Sequence, residues 1–131
     1  TLADYSGGIP FVIWKDYGLP SWWGPDWLVL ATSYSGNTEE ALSALEKCQK
    51  KGAEIAVITS GGKLKIIAED NNYNKIVIPS GHPPRAMFGY AFTGLFYMLN
   101  HHKIIDESFK SDFKKGIALL EREKTNIKSI A

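Results

Sequence analysis

The sequence predicts an α/β domain built on a mostly parallel sheet, because short apolar runs alternate with amphipathic runs along most of the chain. Two of the apolar runs, residues 27–33 and 54–60, are rich in Val, Ile, Leu and Ala and show little apolar–polar alternation. Such runs are typical of parallel strands that are covered on both faces. Right-handed crossovers between the strands are therefore expected.

Each element follows from a local pattern. Four strands are predicted, at residues 11–14, 27–33, 54–60 and 75–80. Four helices are predicted, at residues 38–51, 63–70, 86–101 and 106–124, of which 86–101 is apolar enough to be buried and 106–124 is charged and amphipathic. Gly52 is the expected stop of the first helix, and residues 1–8 resemble a helix tail that ends at glycine.

Composition restricts the class of protein. The chain has 131 residues, of which 44% are hydrophobic and 22% charged, which fits one soluble globular domain with its core at about residues 10–101 and a C-terminal helix at about 106–124. The net charge of +1, from 15 basic and 14 acidic residues, favours neither nucleic acid nor an anionic membrane as a partner. A small-molecule ligand fits better.

The cysteine content and the apolar segments indicate a cytoplasmic protein. Cys48 is the only cysteine, so it cannot form an internal disulfide, and its place on the apolar stripe of a predicted helix suggests a buried thiol in a reducing compartment. The longest nearly uncharged stretch, residues 86–99, is shorter than the roughly 20 residues that cross a bilayer. No signal-like segment is visible at the start of the chain.

Three polar or glycine-rich loops follow predicted strands: "SYSGNT" from Ser33, "SGGK" from Ser60 and "SGHPPR" from Ser80. In parallel sheets the carboxyl ends of the strands meet at one edge, where ligands bind. The three loops are therefore expected to converge. The two glycines of "SGGK" are also explained by a simple turn into the next helix, which is the favoured interpretation of that loop.

The stretch "SYSGNTEE" has two compatible interpretations. In the first, Asn37 is the N-cap of a helix and Glu40 completes a capping box. In the second, the first-turn amides and the helix dipole attract an anion.

Three hydroxyls, on Ser33, Ser35 and Thr38, bracket Gly36 in this stretch, whereas capping needs only one side chain. Glycine permits close approach of a ligand to the backbone, and hydroxyls donate hydrogen bonds without adding charge. These groups fit a phosphate. Since no P-loop lysine is present, a phosphomonoester is preferred to a nucleotide with magnesium.

Arg85 follows two prolines and opens an apolar segment. It could pair with a carboxylate at the sheet edge, or it could grip a ligand oxygen and stabilise oxyanion charge. His82 is interpreted as a surface residue, and His101 and His102 are adjacent, so they do not easily ligate one metal. No metal site and no cofactor are predicted, and no carboxylate stands out as a general base.

Four tryptophans lie in or just before the segment "GLPSWWGPDW": Trp14, Trp22, Trp23 and Trp27. Large aromatic side chains of this kind are buried either in a core or at an interface. The sequence supports both interpretations equally.

Taken together, the motifs "DYGLPSW", "LVLATSYSGNTEEALSAL", "GAEIAVITSGGKL" and "IVIPSGHPPRAMFGY" resemble the first sugar-isomerase (SIS) domain of the bifunctional phosphoglucose/phosphomannose isomerases. The resemblance covers about the first hundred residues. "SYSGNTEE" by itself indicates only a SIS domain, which isomerases, amidotransferases and sugar-phosphate-responsive regulators share. "PRAMFGY" together with "DYGLP" is more specific for the bifunctional isomerases.

The resemblance implies a flavodoxin-like three-layer α/β/α sandwich in which Ser33, Ser35 and Thr38 hold the substrate phosphate, with help from the amides around Gly36 and Asn37. It also implies that Arg85 is catalytic and stabilises an enediolate. The implied reaction interconverts glucose 6-phosphate or mannose 6-phosphate with fructose 6-phosphate, without a metal or redox cofactor. A homodimer is implied for the intact protein.

The sequence departs from that family in what it lacks. The family's first strand, with its glycine- and serine-rich loop, has no counterpart in the chain. The same is true of the second SIS domain, which carries the glutamate base, a histidine and a lysine. We therefore expect an inactive part of a longer enzyme, with a sheet edge left open. The alternatives are a non-catalytic SIS module that senses a sugar phosphate in a regulator, and a SIS isomerase for sugars of another length.

Overall fold

The structure, a computed structural model, describes residues 7–130. The predicted helix tail at the start of the chain therefore lies largely outside the described residues. The chain forms two compact units, one of residues 12–98 and one that includes residues 7–11 and 99–130. The prediction of a single domain remains a prediction.

The larger unit contains a three-stranded parallel sheet in the order β1-β2-β3, and the α/β prediction is confirmed. The strands are β1 (Leu28–Ser33), β2 (Glu54–Thr59) and β3 (Asn74–Val77). Strand β2 is central, with Leu28 opposite Glu54 in the β1 register and Ala56 opposite Asn74 in the β3 register. Five of its six residues, from Ile55 to Thr59, are buried, as expected for a strand covered on both faces.

Helices cover both faces of this sheet. Helices α1 (Glu39–Lys50) and α2 (Gly62–Asp70) connect successive strands. Their apolar stripes form one core cluster with the sheet, which consists of Ala31, Leu45, Cys48, Ile55, Val57, Leu64 and Ala68.

A second apolar cluster, Ile58, Ile78 and Met87, packs with Ala91 and Leu95 of α3 (Phe88–His101). Gly94 of this helix faces the sheet, where an added Cβ would lie 3.4 Å from Ile76 Cγ2, an ordinary van der Waals distance. The result is a helix–sheet–helix layering.

Two predictions about elements were wrong. Residues 11–14 do not form a strand, although they are apolar. Instead the Trp14 indole N–H donates to the carbonyl of Gly18 at 3.1 Å, which builds a local turn. Helix α3 is not wholly buried, because it exposes large aromatic residues, among them Phe88 at 67% and Tyr90 at 56%.

In the smaller unit the end of α3 is joined to α4 (Phe109–Ile130), which is longer than the predicted helix. Asn100 Nδ2 donates to the carbonyl of Ile105 at 3.0 Å and fixes the connection, and Ile105 and Phe109 are buried. Among the helices that the structure describes, none is both long and apolar enough to cross a membrane.

Candidate functional site

The three loops that follow the strands are joined by hydrogen bonds at the carboxyl edge of the sheet. We refer to residues 33–38 as the hydroxyl turn, to residues 60–63 as the glycine loop and to residues 80–87 as the Arg85 loop. The carbonyl of Tyr34 accepts from Ser60 N at 3.0 Å and from Ser60 Oγ at 2.6 Å. The Tyr34 hydroxyl accepts from His82 N at 3.1 Å. The three loops therefore converge, as expected.

The hydroxyl turn is held together by its own side chains. Ser33 Oγ and Thr38 Oγ1 are 2.7 Å apart and hydrogen-bonded, and Gly36 N donates to Ser33 Oγ at 3.1 Å. Asn37 N donates to Ser35 Oγ at 3.2 Å. Ser33 is buried, whereas Ser35 and Thr38 are exposed. The five residues predicted for phosphate binding thus lie in one compact turn, with two exposed hydroxyls facing solvent.

The start of α1 differs from the predicted capping box. The N-cap is Thr38, with φ −63° and ψ 120°, and no side chain caps this end of the helix. Asn37 and Glu40 therefore do not form the box that the sequence suggested. The amides of the first turn have no side-chain acceptor within the described part of the chain, so this helix start can receive an anion.

Asn37 instead caps the neighbouring helix. Its Oδ1 accepts from Lys63 N, in the first turn of α2, at 3.1 Å. The carbonyl of Gly36 accepts from Leu64 N at 2.9 Å. The amides at the start of α2 are thus satisfied by the hydroxyl turn, while those of α1 are left available.

The hydroxyl turn and the glycine loop are in very close contact. A Cβ on Gly36 would lie 1.8 Å from the carbonyl oxygen of Gly61, and a Cβ on Gly62 would lie 2.3 Å from the carbonyl oxygen of Ser35. Gly36 and Gly62 also have φ values of +69° and +67°. Only glycine satisfies both requirements, so the glycine loop both turns the chain and supports the hydroxyl turn.

Arg85 lies in the 3₁₀ turn Pro84–Met87, and its side chain is exposed. Within residues 7–130 it forms neither the ion pair with a sheet-edge carboxylate nor a hydrogen bond to the hydroxyl turn. The structure brings it to the same sheet edge through its loop, and its guanidinium is available to a ligand.

Glu39, at the start of α1, contacts a neighbouring loop. The Tyr17 hydroxyl donates to Glu39 Oε2 at 3.1 Å. This hydrogen bond, and the nearby charge of Glu40, raise the pKa of Tyr17. The "DYGLP" segment therefore contacts the helix whose first turn faces the candidate site.

An apolar cavity of about 190 Å³ lies beside β1, separate from the polar turn. Its lining includes Trp14, Trp22, Trp23 and Trp27, together with Leu28–Thr32 of the strand and parts of α1. The rings of Trp22 and Trp27 are 5.2 Å apart, and Trp22 is half exposed. Among the residues that the structure describes, no group of three His, Cys, Asp or Glu side chains could hold a metal ion.

Sequence reasoning missed two contributors to the site. Tyr34 joins all three loops, and buried Thr59 braces the glycine loop, since Gly61 N donates to Thr59 Oγ1 at 3.2 Å. Tyr34 follows Ser33 and Thr59 precedes Ser60. This position beside a predicted loop serine is the one signal in the sequence that could have indicated them.

Comparison with curated proteins finds several bifunctional phosphoglucose/phosphomannose isomerases. The protein of that name from Caldicellulosiruptor bescii is 43% identical over 122 residues, which is 91% of this chain and 36% of the relative. The one from Thermoplasma acidophilum is 37% identical over 122 residues, which is 90% of this chain and 38% of the relative.

A D-glucosamine-6-phosphate 4-epimerase from Sulfolobus acidocaldarius is 51% identical over 73 residues, which is 55% of this chain and 24% of the relative. The chain spans little more than a third of the length of the isomerases that it matches. No family model and no solved structure matches.

Proposed function

We propose that this chain, a homologue of the bifunctional phosphoglucose/phosphomannose isomerases, is the part of such an enzyme that binds the phosphate of a hexose 6-phosphate. The ligands in this proposal are the hydroxyls of Ser35 and Thr38 and the first-turn amides of α1. Ser33 completes the turn from its buried side. Gly36 and Asn37 keep the backbone of the turn in place.

The observation that carries the proposal is the uncapped start of α1 next to two exposed hydroxyls. An uncapped helix start leaves backbone N–H groups and the positive end of the helix dipole available to an anion. Hydroxyl groups add hydrogen-bond donors without adding a charge. A phosphate monoester satisfies all of these groups.

Arg85 is the proposed catalytic residue of this part. In the aldose–ketose interconversion that the relatives are named for, a base removes the proton from the carbon next to the carbonyl, and a proton is then delivered to the neighbouring carbon. The negative charge that develops on the two oxygens is stabilised by a guanidinium held nearby. The base is proposed to lie outside these 131 residues, so this chain alone should bind substrate without turnover.

Binding is the first test. The isotope-labelled chain is titrated with fructose 6-phosphate while backbone amides are followed by NMR. Shifts should concentrate in residues 35–41, and Thr38→Ala should weaken binding about tenfold, since it removes a hydrogen bond to a charged group. Ser43→Ala, in the middle of α1, is the matched control. Equal affinities for the two variants would contradict the proposal.

Catalysis is the second test. Arg85→Ala in the full-length protein should lower turnover of glucose 6-phosphate and mannose 6-phosphate about a hundredfold or more, by loss of oxyanion stabilisation. Full activity of this variant on both sugars would refute the role of Arg85. Isomerisation by the 131-residue chain itself would contradict the placement of the base.

The 51% identity to an epimerase favours one further candidate, an epimerisation at another carbon of a hexosamine 6-phosphate. The phosphate site would serve both reactions equally. Incubation of the full-length protein with glucosamine 6-phosphate and with fructose 6-phosphate, followed by product analysis, separates them. We further propose that the full-length protein is a homodimer in the cytoplasm. Binding of the sugar phosphate without turnover by the full-length protein would instead indicate a sensing role.

A further inference from the structure

We propose that Tyr34 is a positioning residue that fixes the Arg85 loop relative to the hydroxyl turn, so that Arg85 is held at the distance suited to a hexose phosphate. This inference rests on the proposed function, because it concerns the two ends of the same ligand. It assigns a role to a residue that contacts neither the phosphate nor the reacting carbons in the proposal above.

The backbone of Tyr34 is fixed first. Tyr34 directly follows β1, and its carbonyl accepts two hydrogen bonds from Ser60, one from the amide at 3.0 Å and one from the hydroxyl at 2.6 Å. Residue 34 is therefore anchored to the neighbouring loop. A side chain that leaves such an anchored backbone has a well-defined starting point.

The side chain then reaches the Arg85 loop. The phenolic oxygen accepts from His82 N at 3.1 Å, across 48 residues of sequence. The ring packs against the apolar cluster that contains Ile58, Ile78 and Met87. His82 lies three residues before Arg85 and Met87 two residues after it, so Tyr34 holds one flank by a hydrogen bond and adjoins the other through apolar packing.

The bond from His82 to Tyr34 is the hydrogen bond that joins residues 80–87 to residues 33–38 in the described part of the chain. A hydrogen bond from Ala86 N to the carbonyl of Pro83 at 2.9 Å is internal to the Arg85 loop. Loss of the Tyr34 hydroxyl should therefore loosen the beginning of the Arg85 loop. The ring, which a phenylalanine retains, keeps the apolar cluster intact.

The consequence for ligands is selective. Inorganic phosphate needs only the hydroxyl turn and the first turn of α1, which do not use the Tyr34 hydroxyl. Fructose 6-phosphate also needs Arg85 at its other end, with several carbon atoms between the phosphate and the reacting oxygens. A looser Arg85 loop costs affinity for the longer ligand alone, because the binding-competent arrangement is populated less often.

The test compares Tyr34→Phe with Tyr73→Phe. The control also removes one phenolic hydroxyl that accepts one hydrogen bond, from Gln49 Nε2 at 3.1 Å, but at the opposite edge of the sheet. Hydrogen exchange of the His82 amide and the dissociation constants for fructose 6-phosphate and inorganic phosphate are measured by NMR. For Tyr34→Phe we expect faster exchange at His82 and an affinity for fructose 6-phosphate lower by about two- to tenfold. Inorganic phosphate should bind as in the wild type, and Tyr73→Phe should change none of the three.

A second variant makes the coupling explicit. In an Arg85→Ala background, Tyr34→Phe should have no further effect on fructose 6-phosphate, because the residue that it positions is gone. An additive loss would overturn the proposal, and so would unchanged exchange at His82 or an equal loss of affinity for both ligands. A wild-type chain that binds neither ligand would refute the phosphate site instead, while exchange at His82 would still decide whether Tyr34 holds the loop.

Discussion

Gly36 is the residue where the candidate site tolerates least change. Its φ of +69° is one obstacle to a side chain, and the 1.8 Å that would separate an added Cβ from the Gly61 carbonyl oxygen is another. Gly52 has nearly the same φ, +71°, but open space around a Cβ. Comparison of Gly36 with Gly52 therefore separates the energetic cost of the backbone conformation from that of steric contact.

We predict that Gly52→Ala lowers the free energy of unfolding by about 1–2 kcal/mol, the cost of a left-handed conformation. Gly36→Ala should cost at least about 2 kcal/mol more, since backbone atoms of two loops must move apart. Urea denaturation measures both values. Equal losses for the two variants would mean that the loops separate easily and that their contact is not fixed.

The buried thiol of Cys48 makes the stability of the fold depend on pH. Its side chain is fully buried, and this burial raises the pKa of the thiol. The folded chain therefore keeps the proton at pH values where the unfolded chain has already lost it. The stabilising contribution is complete below the unfolded pKa, about 8.5, and is lost as the pH rises through the folded pKa.

We predict that the stability difference between the wild type and Cys48→Ala shrinks as the pH rises above that value. All other side chains are the same in both proteins, so the difference isolates the thiol. Denaturation curves from about pH 7 to about pH 10, a range that brackets the ordinary thiol pKa, provide the measurement. A difference that stays constant over this range would contradict the assignment of a buried, protonated thiol.

Among the elements, α2 depends on a cap that comes from another part of the chain. Asn37 Oδ1 accepts from Lys63 N, and the two residues are 26 positions apart. Asn37→Ala should cost about 1 kcal/mol of stability through loss of the cap. Asn37→Asp keeps the acceptor and places a negative charge at the helix start, so its stability should equal or exceed that of the wild type.

The same charge would repel a phosphate, so Asn37→Asp should weaken fructose 6-phosphate binding although the protein remains stable. Asn71→Ala is the control, because the exposed Asn71 donates to the carbonyl of Ile67 at the other end of α2. It should change stability and binding little. A destabilised Asn37→Asp variant would show that Asn37 does not act as a cap.

These elements also indicate what the sequence can predict. Strands β1, β2 and β3 and helices α1 to α4 were expected, because the strands are continuous apolar runs, the helices have apolar stripes and their stops, such as Gly52, are local. The prediction of a strand at residues 11–14 was wrong. An apolar run forms a strand only beside a partner strand, and composition does not reveal whether a partner is present. The capping box was wrong because Asn37 bonds to a distant helix rather than to its own.

For the site, parallel topology was sufficient to predict that three loops meet, since the carboxyl ends of parallel strands share one edge. The hydrogen bond between His82 and Tyr34 could not be predicted, because it depends on the path of an irregular loop. Local patterns therefore located the turn that carries the hydroxyls. The contacts that hold the loops together required the folded structure.

At the scale of the whole molecule, the two edges of the sheet are protected unequally. Strand β3 has four residues, includes Lys75 and is followed closely by Pro79. Strand β1 has six residues, "LVLATS", with no charge or proline, and its outer edge has no strand partner in the described part of the chain. An apolar edge of this kind tends to pair with another chain.

We predict that the chain self-associates through β1 as its concentration rises, and that Thr32→Lys, at an exposed position of this strand, shifts it towards the monomer. A lysine at a sheet edge opposes pairing because its charge would have to be desolvated. Thr125→Lys adds the same charge at an exposed position of α4 and should leave association unchanged. Sedimentation velocity over a range of concentrations compares the three proteins. If both variants associate as the wild type does, contact between copies occurs elsewhere, and the open edge of β1 is already shielded by the tryptophan-lined segment beside it.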